Sequence, residues 1–222
     1  MKYIVIDLEM NPLSKEYYEE RKQCRNEIIQ IGAVVLDENY QEIGCFKTLV
    51  KPQYNDIVTK KIEKLTGITT AMVQDAPAFE DAIHQFFSWC ASINDVIEIH
   101  QWSTSDYLQV YQELCLKQII LNSKEQMLLE GWKDFQEEFG KKLGLSGQLS
   151  LKNAIMYAGI DIVGRYHDAL YDARNTATLF RITHNPEECK KALSLVINAL
   201  NPVPQNTTLG ELFNFSEFAL IS

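Results

Sequence analysis

Residues 3–9, Tyr3-Ile4-Val5-Ile6-Asp7-Leu8-Glu9, constrain the fold of this chain more than any other stretch. The run from Tyr3 to Ile6 is apolar at every position, the pattern of a strand covered on both faces in the middle of a sheet. Asp7 and Glu9 follow with one residue between them. Side chains alternate along a strand, so both carboxylates project to the same face, roughly 6–7 Å apart. Two acids at the end of a buried strand repel each other and lose hydration. Either the strand ends there and both are solvated in a loop, or a cation lies between them. Carboxylate oxygens suit hard ions such as Mg²⁺ or Mn²⁺. The choice turns on whether other segments bring more carboxylates to the same place.

Residues 27–36 read as a second strand and 42–51 as a third, closed by Pro52 and joined through the turn residues Asp37-Glu38-Asn39. Three strands in succession with short links predict an antiparallel meander. The period then changes. Residues 55–65 read as a helix stopped by Gly67. Residues 77–92 read as an amphipathic helix with Phe79, Ile83, Phe86, Phe87 and Cys90 on one face. A fourth strand is expected at 95–100, and a helix at 105–117 with Tyr107, Val110, Tyr111 and Leu114 toward the core. Ile119-Ile120-Leu121 reads as a short fifth strand. Further helices are expected up to Gly140, over 151–157 with Ser150 as cap, over 168–183, and over 186–200. Segment 14–22 reads as a short helix capped by Ser14. Beside the first acids it is either a lid or a solvated connection. The whole is an α/β fold, a mixed sheet flanked by helices. One domain is expected over residues 1–184, with a C-terminal helix and tail over 185–222 that carries Phe213, Phe215 and Phe218.

A net charge of −9 argues against a protein that binds nucleic acid by its overall charge. It leaves room for a metal-loaded acidic cluster flanked by local basic and aromatic groups that hold a few nucleotides. No run approaches the ~18 apolar residues of a membrane span, and the reading is a cytoplasmic protein with no membrane partner. The five cysteines (Cys24, Cys45, Cys90, Cys115 and Cys189) form no CxxC pair, so buried free thiols are expected.

Asp172 is the main anomaly of the second half. Ala169, Ala173, Thr176, Ala177 and Phe180 make the buried stripe of the 168–183 helix, and Asp172 falls inside it. A buried acid there calls for an arginine or a metal ion. His167 stands one helical turn before it, and an imidazole can accept a proton near neutral pH. Asp106 falls in the first turn of the helix after the fourth strand, where the helix dipole alone also favours an acid.

The ordered set Asp7-x-Glu9, Asp106 and His167-x-Ala169-x-x-Asp172-Ala173 resembles the DEDD superfamily of 3′-to-5′ exonucleases, in the DEDDh subgroup with a histidine five residues before the last aspartate. Glu27-Ile28-Ile29-Gln30-Ile31-Gly32-Ala33, Leu65-Thr66-Gly67-Ile68, Ser150-Leu151-Lys152-Asn153-Ala154 and Asp172-Ala173-Arg174-Asn175-Thr176-Ala177 resemble the branch of siRNA and histone-mRNA 3′ exonucleases, and that of bacterial sporulation-inhibitor-like exonucleases. Around the third acid the chain departs from the subgroup's Asn and Phe-Asp and reads His100-Gln101-Trp102-Ser103-Thr104-Ser105-Asp106-Tyr107. The resemblance implies a ribonuclease H-like sheet of five strands, three antiparallel and then parallel. It implies two Mg²⁺ or Mn²⁺ ions held by Asp7, Glu9, Asp106 and Asp172, with His167 as the base. The implied activity is 3′-to-5′ hydrolysis of single-stranded RNA or short overhangs, DNA being a second substrate class, with release of nucleoside 5′-monophosphates. A binding-only regulator on the same fold is the alternative. For substrate contacts, Met10 and Asn11 are expected in a loop under the terminal sugar. Trp102 is either a stacking platform or a core residue, and Lys152 and Arg165 are either phosphate contacts or solvated. The tail is a candidate surface for a homodimer or a protein partner.

Overall fold

A computed structural model describes residues 1–143 and 147–200. In chain order the elements are β1 (Lys2–Pro12), α1 (Glu20–Gln23), β2 (Asn26–Leu36), β3 (Glu42–Leu49), α2 (Lys60–Thr66), α3 (Thr70–Gln74), α4 (Phe79–Ser92), β4 (Ile97–Gln101), α5 (Ser105–Lys117), α6 (Ser123–Glu130), β5 (Lys133–Asp134), α7 (Phe135–Leu143), α8 (Leu151–Tyr157), α9 (Ala169–His184) and α10 (Pro186–Leu200).

The sheet has five strands in the order β3-β2-β1-β4-β5. β1 pairs antiparallel with β2, and β2 with β3, while β4 runs parallel to β1 and β5 parallel to β4. The apolar opening run thus lies in the middle, with Ile4, Val5 and Ile6 fully buried. Alternation divides its side chains between two cores. Ile4, Ile6 and Leu8 pack with Phe79, Ile83, Phe86 and Phe87 of α4. Val5 faces the opposite core, which α7 to α10 close with Phe135, Phe139, Ile155, Phe180 and Val196.

Several elements differ from the sequence expectations. The fifth strand is Lys133–Asp134, bonded to His100 and Gln101, and residues 119–121 are irregular. Gln118 ends α5 in the left-handed region at φ 55°, and the Ile119 N–H returns to Leu114 O. That reversal, followed at once by the Asn122 capping box of α6, leaves no length for a strand. The helix expected over 55–65 is only α2, capped by Thr59, because the preceding amides bond elsewhere: Gln53, Tyr54 and Asn55 donate to Glu27. Segment 14–22 holds only the single turn α1, and Ser14 bonds to Glu16 instead of capping a helix. α3 and α6 are additional helices.

On α5 the inward positions belong to Asp106, Gln109, Val110, Glu113 and Leu114, and Tyr111 is exposed. Gln109 and Glu113 turn inward because they bond the start of β2, at Asn26 O and Ile28 N. Cys24 and Cys90 are buried free thiols, whereas Cys45 and Cys115 are exposed, on the outer strand β3 and the outer face of α5. α10 buries Ala192 and Val196 against the second core. Residues 203–222, with their three phenylalanines, lie outside the described residues. No described helix is long and apolar enough to cross a membrane.

Candidate active site

Asp7 and Glu9 stand opposite Gly32 and Gln30 of β2. Both acids share the face of Val5, the face on which α9 packs. The two β2 residues dock the start of that helix. A side chain at Gly32 would collide with the backbone of Ala169 and Leu170, so only glycine lets α9 come this close. Gln30 Oε1 accepts the Ala169 N–H at 2.8 Å, satisfying one of the donors a helix start leaves open. Asp168 caps α9 and is bound to Lys47 of β3 at 2.7 Å. Helix and strand are thereby fixed together at the level of the acids.

The docked helix brings Asp172, 7% exposed, into the cluster. Its Oδ2 accepts the His167 N–H at 2.9 Å. Its Oδ1 is buried without a hydrogen-bond partner, and the neighbouring Asn175 amide bonds the Val163 N–H and C=O. His167 holds a left-handed backbone at φ 59°, a conformation uncommon outside glycine, and its half-exposed ring stands at the rim of the cluster. Its Nδ1 lies 4.0 Å from Glu9 Oε1, and ligand atoms of Glu9, His167 and Asp172 all fall within 4.8 Å of one another. Asp106 enters from the first turn of α5, just after β4, and is 6% exposed.

Electrostatics shows the four carboxyls as one group. Burial, then Asp106, Asp172 and Glu9, push the Asp7 carboxyl well above its usual range. Glu9 is pushed up to about 8 by burial, then by Asp172 and Asp106. Asp106 rises to about 8 through burial. Asp172 is raised by burial against the opposing His167 amide. Among the described residues no lysine or arginine forms an ion pair with any of the four. An all-oxygen set with an unsatisfied Oδ1 and no cation beside it is the donor chemistry of a hard divalent ion.

The substrate-contact candidates distribute differently. Met10 and Asn11 lie within β1, which runs on to Pro12, and not in a loop. The register shifts between Glu9 and Met10, leaving Ile29 of β2 without an opposite residue. Asn11 is fully buried and clasps the approach to α2, donating to Ile57 O and accepting from the Thr59 N–H at 3.1 and 3.0 Å. Trp102 is 7% exposed and packs on Phe135 and Phe139, so it is a core residue and no platform for a base. Lys152 is exposed on α8, its ammonium 5.6 Å from the Tyr166 ring centre. Arg165 is exposed and donates to Lys64 O and Leu65 O at the end of α2.

Sequence reasoning did not assign roles to Gln30, Gly32 or Glu27. Their signal was present as three interruptions of an otherwise apolar strand. Glu27 is fully buried, collects three loop amides and pairs with Lys117 at 3.0 Å.

A family model described as "Exonuclease", of the RNase T type, matches residues 4–180. The chain is 28% identical over 193 residues to ERI1 exoribonuclease 2 of Xenopus laevis, covering 79% of this chain and 27% of the relative. It is 27% identical over 237 residues to ERI1 exoribonuclease 2 of Homo sapiens, covering 90% and 32%. With 3'-5' exoribonuclease 1 of Rattus norvegicus it shares 24% identity over 163 residues, covering 69% and 46%. The chain therefore spans only 27% to 46% of the length of these relatives. Among solved structures, the nuclease domain of 3'hExo, a DEDDh family member bound to rAMP, superimposes with a TM-score of 0.71 at 19% identity, covering 83% of this chain and 92% of that one. Cell-death related nuclease 4 (CRN-4) superimposes with a TM-score of 0.70 at 20% identity, covering 83% and 64%. These two likenesses show the fold.

Proposed function

This chain belongs to the exonuclease family of the RNase T type, and from that premise we propose that it is a metal-dependent 3′-to-5′ exoribonuclease. Its substrate is the 3′ end of single-stranded RNA or a short overhang, and its product a nucleoside 5′-monophosphate. The observation that carries the reading is the meeting of four carboxyls from three distant segments, Glu9, Asp106 and Asp172 buried and Asp7 partly so, with no lysine or arginine among the described residues to balance them. The exoribonuclease relatives favour RNA as the substrate. The catalytic unit is residues 1–184, with 185–222 as an extension. The buried free thiols Cys24 and Cys90 fit a reducing compartment such as the cytoplasm.

Asp7, Glu9, Asp106 and Asp172 would hold two Mg²⁺ or Mn²⁺ ions, their four negative charges balancing the four positive ones. Bound there, the ions would supply charge neutralisation at the scissile phosphate and a more acidic water. The chain's own residues do the rest. Glu9 and His167 flank the position of the attacking water. His167, open to solvent on one side, takes the water proton as the water oxygen bonds to phosphorus and the bond from phosphorus to the 3′ oxygen breaks. The Asp172–His167 hydrogen bond holds the loop that carries the imidazole, so the base is placed by backbone and not by a mobile side chain alone.

The test is incubation of 5′-labelled single-stranded RNA with the protein and Mn²⁺, beside Asp7→Ala and His167→Ala. The expected result is a ladder that shortens from the 3′ end. It is absent for the first variant and slowed about 100-fold or more for the second, the usual scale of a lost general base. An intact strand with the wild-type protein and either ion would overturn the reading.

A further inference from the structure

Beside the acidic cluster lies a groove of opposite sign. It runs between α2 and the loop leading to His167, encloses about 470 Å³, and is lined by Lys60, Glu63, Lys64, Gly67, Thr69 and Arg165. Lys60 and Lys64 are exposed and four residues apart on α2, so their side chains share a face, about 5–6 Å from each other at Cβ. Among the described residues neither ammonium has a carboxylate partner. Other cations of the fold are paired: Lys47 is held by Asp168, Arg174 by Glu42 and Lys117 by two buried glutamates. Arg165 is set in place by the fold, its guanidinium bonded to the last carbonyls of α2 and lying where a side chain at Gly67 would collide with it. It meets carbonyl oxygens only, so its charge is not cancelled. It is two residues before His167, a chain distance of at most about 7 Å.

In a chain of net charge −9, a groove with three cations against one carboxylate, Glu63, at the edge of a four-carboxylate site defines where a polyanion can approach. We propose that this groove is a second phosphate-binding site, which takes the phosphodiesters immediately upstream of the cleaved bond on the same strand. The inference rests on the exoribonuclease reading above. Arg165 meets the nearer phosphate, and Lys60 and Lys64 track the strand as it leaves. Such contacts are to backbone and carry no base preference.

The experiment compares wild type with Lys60→Ala/Lys64→Ala, with Lys60→Arg/Lys64→Arg, and with Lys190→Ala/Lys191→Ala on the distant α10. Binding of a labelled octaribonucleotide is followed by anisotropy in Ca²⁺ across a salt series, and cleavage of di- and octaribonucleotides is followed in Mn²⁺. Loss of two phosphate contacts makes the slope of log K against log salt shallower by about 1.4. The alanine pair is expected to raise KM about tenfold on the octamer and less than twofold on the dimer, which has no upstream phosphate. The arginine pair and the α10 pair are expected to behave as wild type. An unchanged slope, or equal losses on both lengths, overturns the groove. Wild-type binding without cleavage counts against the nuclease reading alone, with the slope still deciding the groove. Absence of binding overturns both.

Discussion

Glu9 and Asp106 are carboxylic acids whose burial, with no cation at hand, moves both to about 8. A carboxyl raised on folding stabilises the fold fully below its unfolded value and loses that contribution as pH rises through the folded one. Metal-free protein is therefore expected to lose stability between about pH 4 and 8, the interval bounded by ordinary carboxyl values and the raised ones. A divalent ion removes the repulsion and should restore it. At 100 times its Kd an ion contributes about 2.7 kcal/mol. For a chain of this size that raises the melting temperature by about 5–10 °C. Thermal melts with and without Mn²⁺ at pH 5.5 and pH 8 should show the larger metal shift at pH 8. An equal shift at both, or a full shift retained by Asp172→Asn, would count against a shared site. Three acids of this cluster were legible because each breaks a local rule, Asp7 and Glu9 in an apolar strand and Asp172 inside a helix stripe, whereas Asp106 sits in a helix first turn where an acid is ordinary. Trp102 and Asn11 were less legible. Whether an indole faces core or solvent depends on Phe135 and Phe139 arriving from α7, and the buried amide of Asn11 depends on a loop more than 40 residues away. Neither neighbour is visible from local pattern.

At the scale of elements, the site exists because α9 and β2 touch backbone to backbone. Gly32→Ala inserts a methyl group where Ala169 and Leu170 leave no space. Overpacking of this kind costs about 1–3 kcal/mol. The larger effect falls on chemistry, because pushing α9 outward moves Asp172 and His167 together. A displacement near 1 Å can cost about 100-fold in rate. The variant is expected to melt a few degrees lower and to lose activity out of proportion to that loss. Retention of the wild-type kcat by a folded Gly32→Ala protein would show that the close approach is not needed. The long elements were legible from sequence, since β1, β2, α4 and α9 each carry one sustained apolar pattern. β5 was not, because two residues hold no period and its pairing with His100 and Gln101 is imposed by the neighbouring strand. The apolar triplet at 119–121 misled for the converse reason: Ile119 and Leu121 pack against the first core from a loop.

For the whole molecule, the question is how far residues 1–184 stand without the helix that follows them. α10 covers part of the second core through Ala192 and Val196 and contributes none of the clustered acids. Removing residues 185–222 should cost about 2–4 kcal/mol of apolar burial and lower the melting temperature, with RNA cleavage retained below the transition. Loss of cleavage from a truncated protein that is still folded would mean that the extension helps build the site. The placement of Asp7 has a further consequence. Its strand is laddered on one side to β2 along nearly its whole length and on the other to β4 through Ile6. Amides of such a strand open to solvent only when the domain as a whole does. Deuterium uptake at residues 4–7 should therefore be among the slowest in the chain. The floor beneath the reaction cannot be loosened piecemeal, and control of this protein would have to act on who reaches that floor.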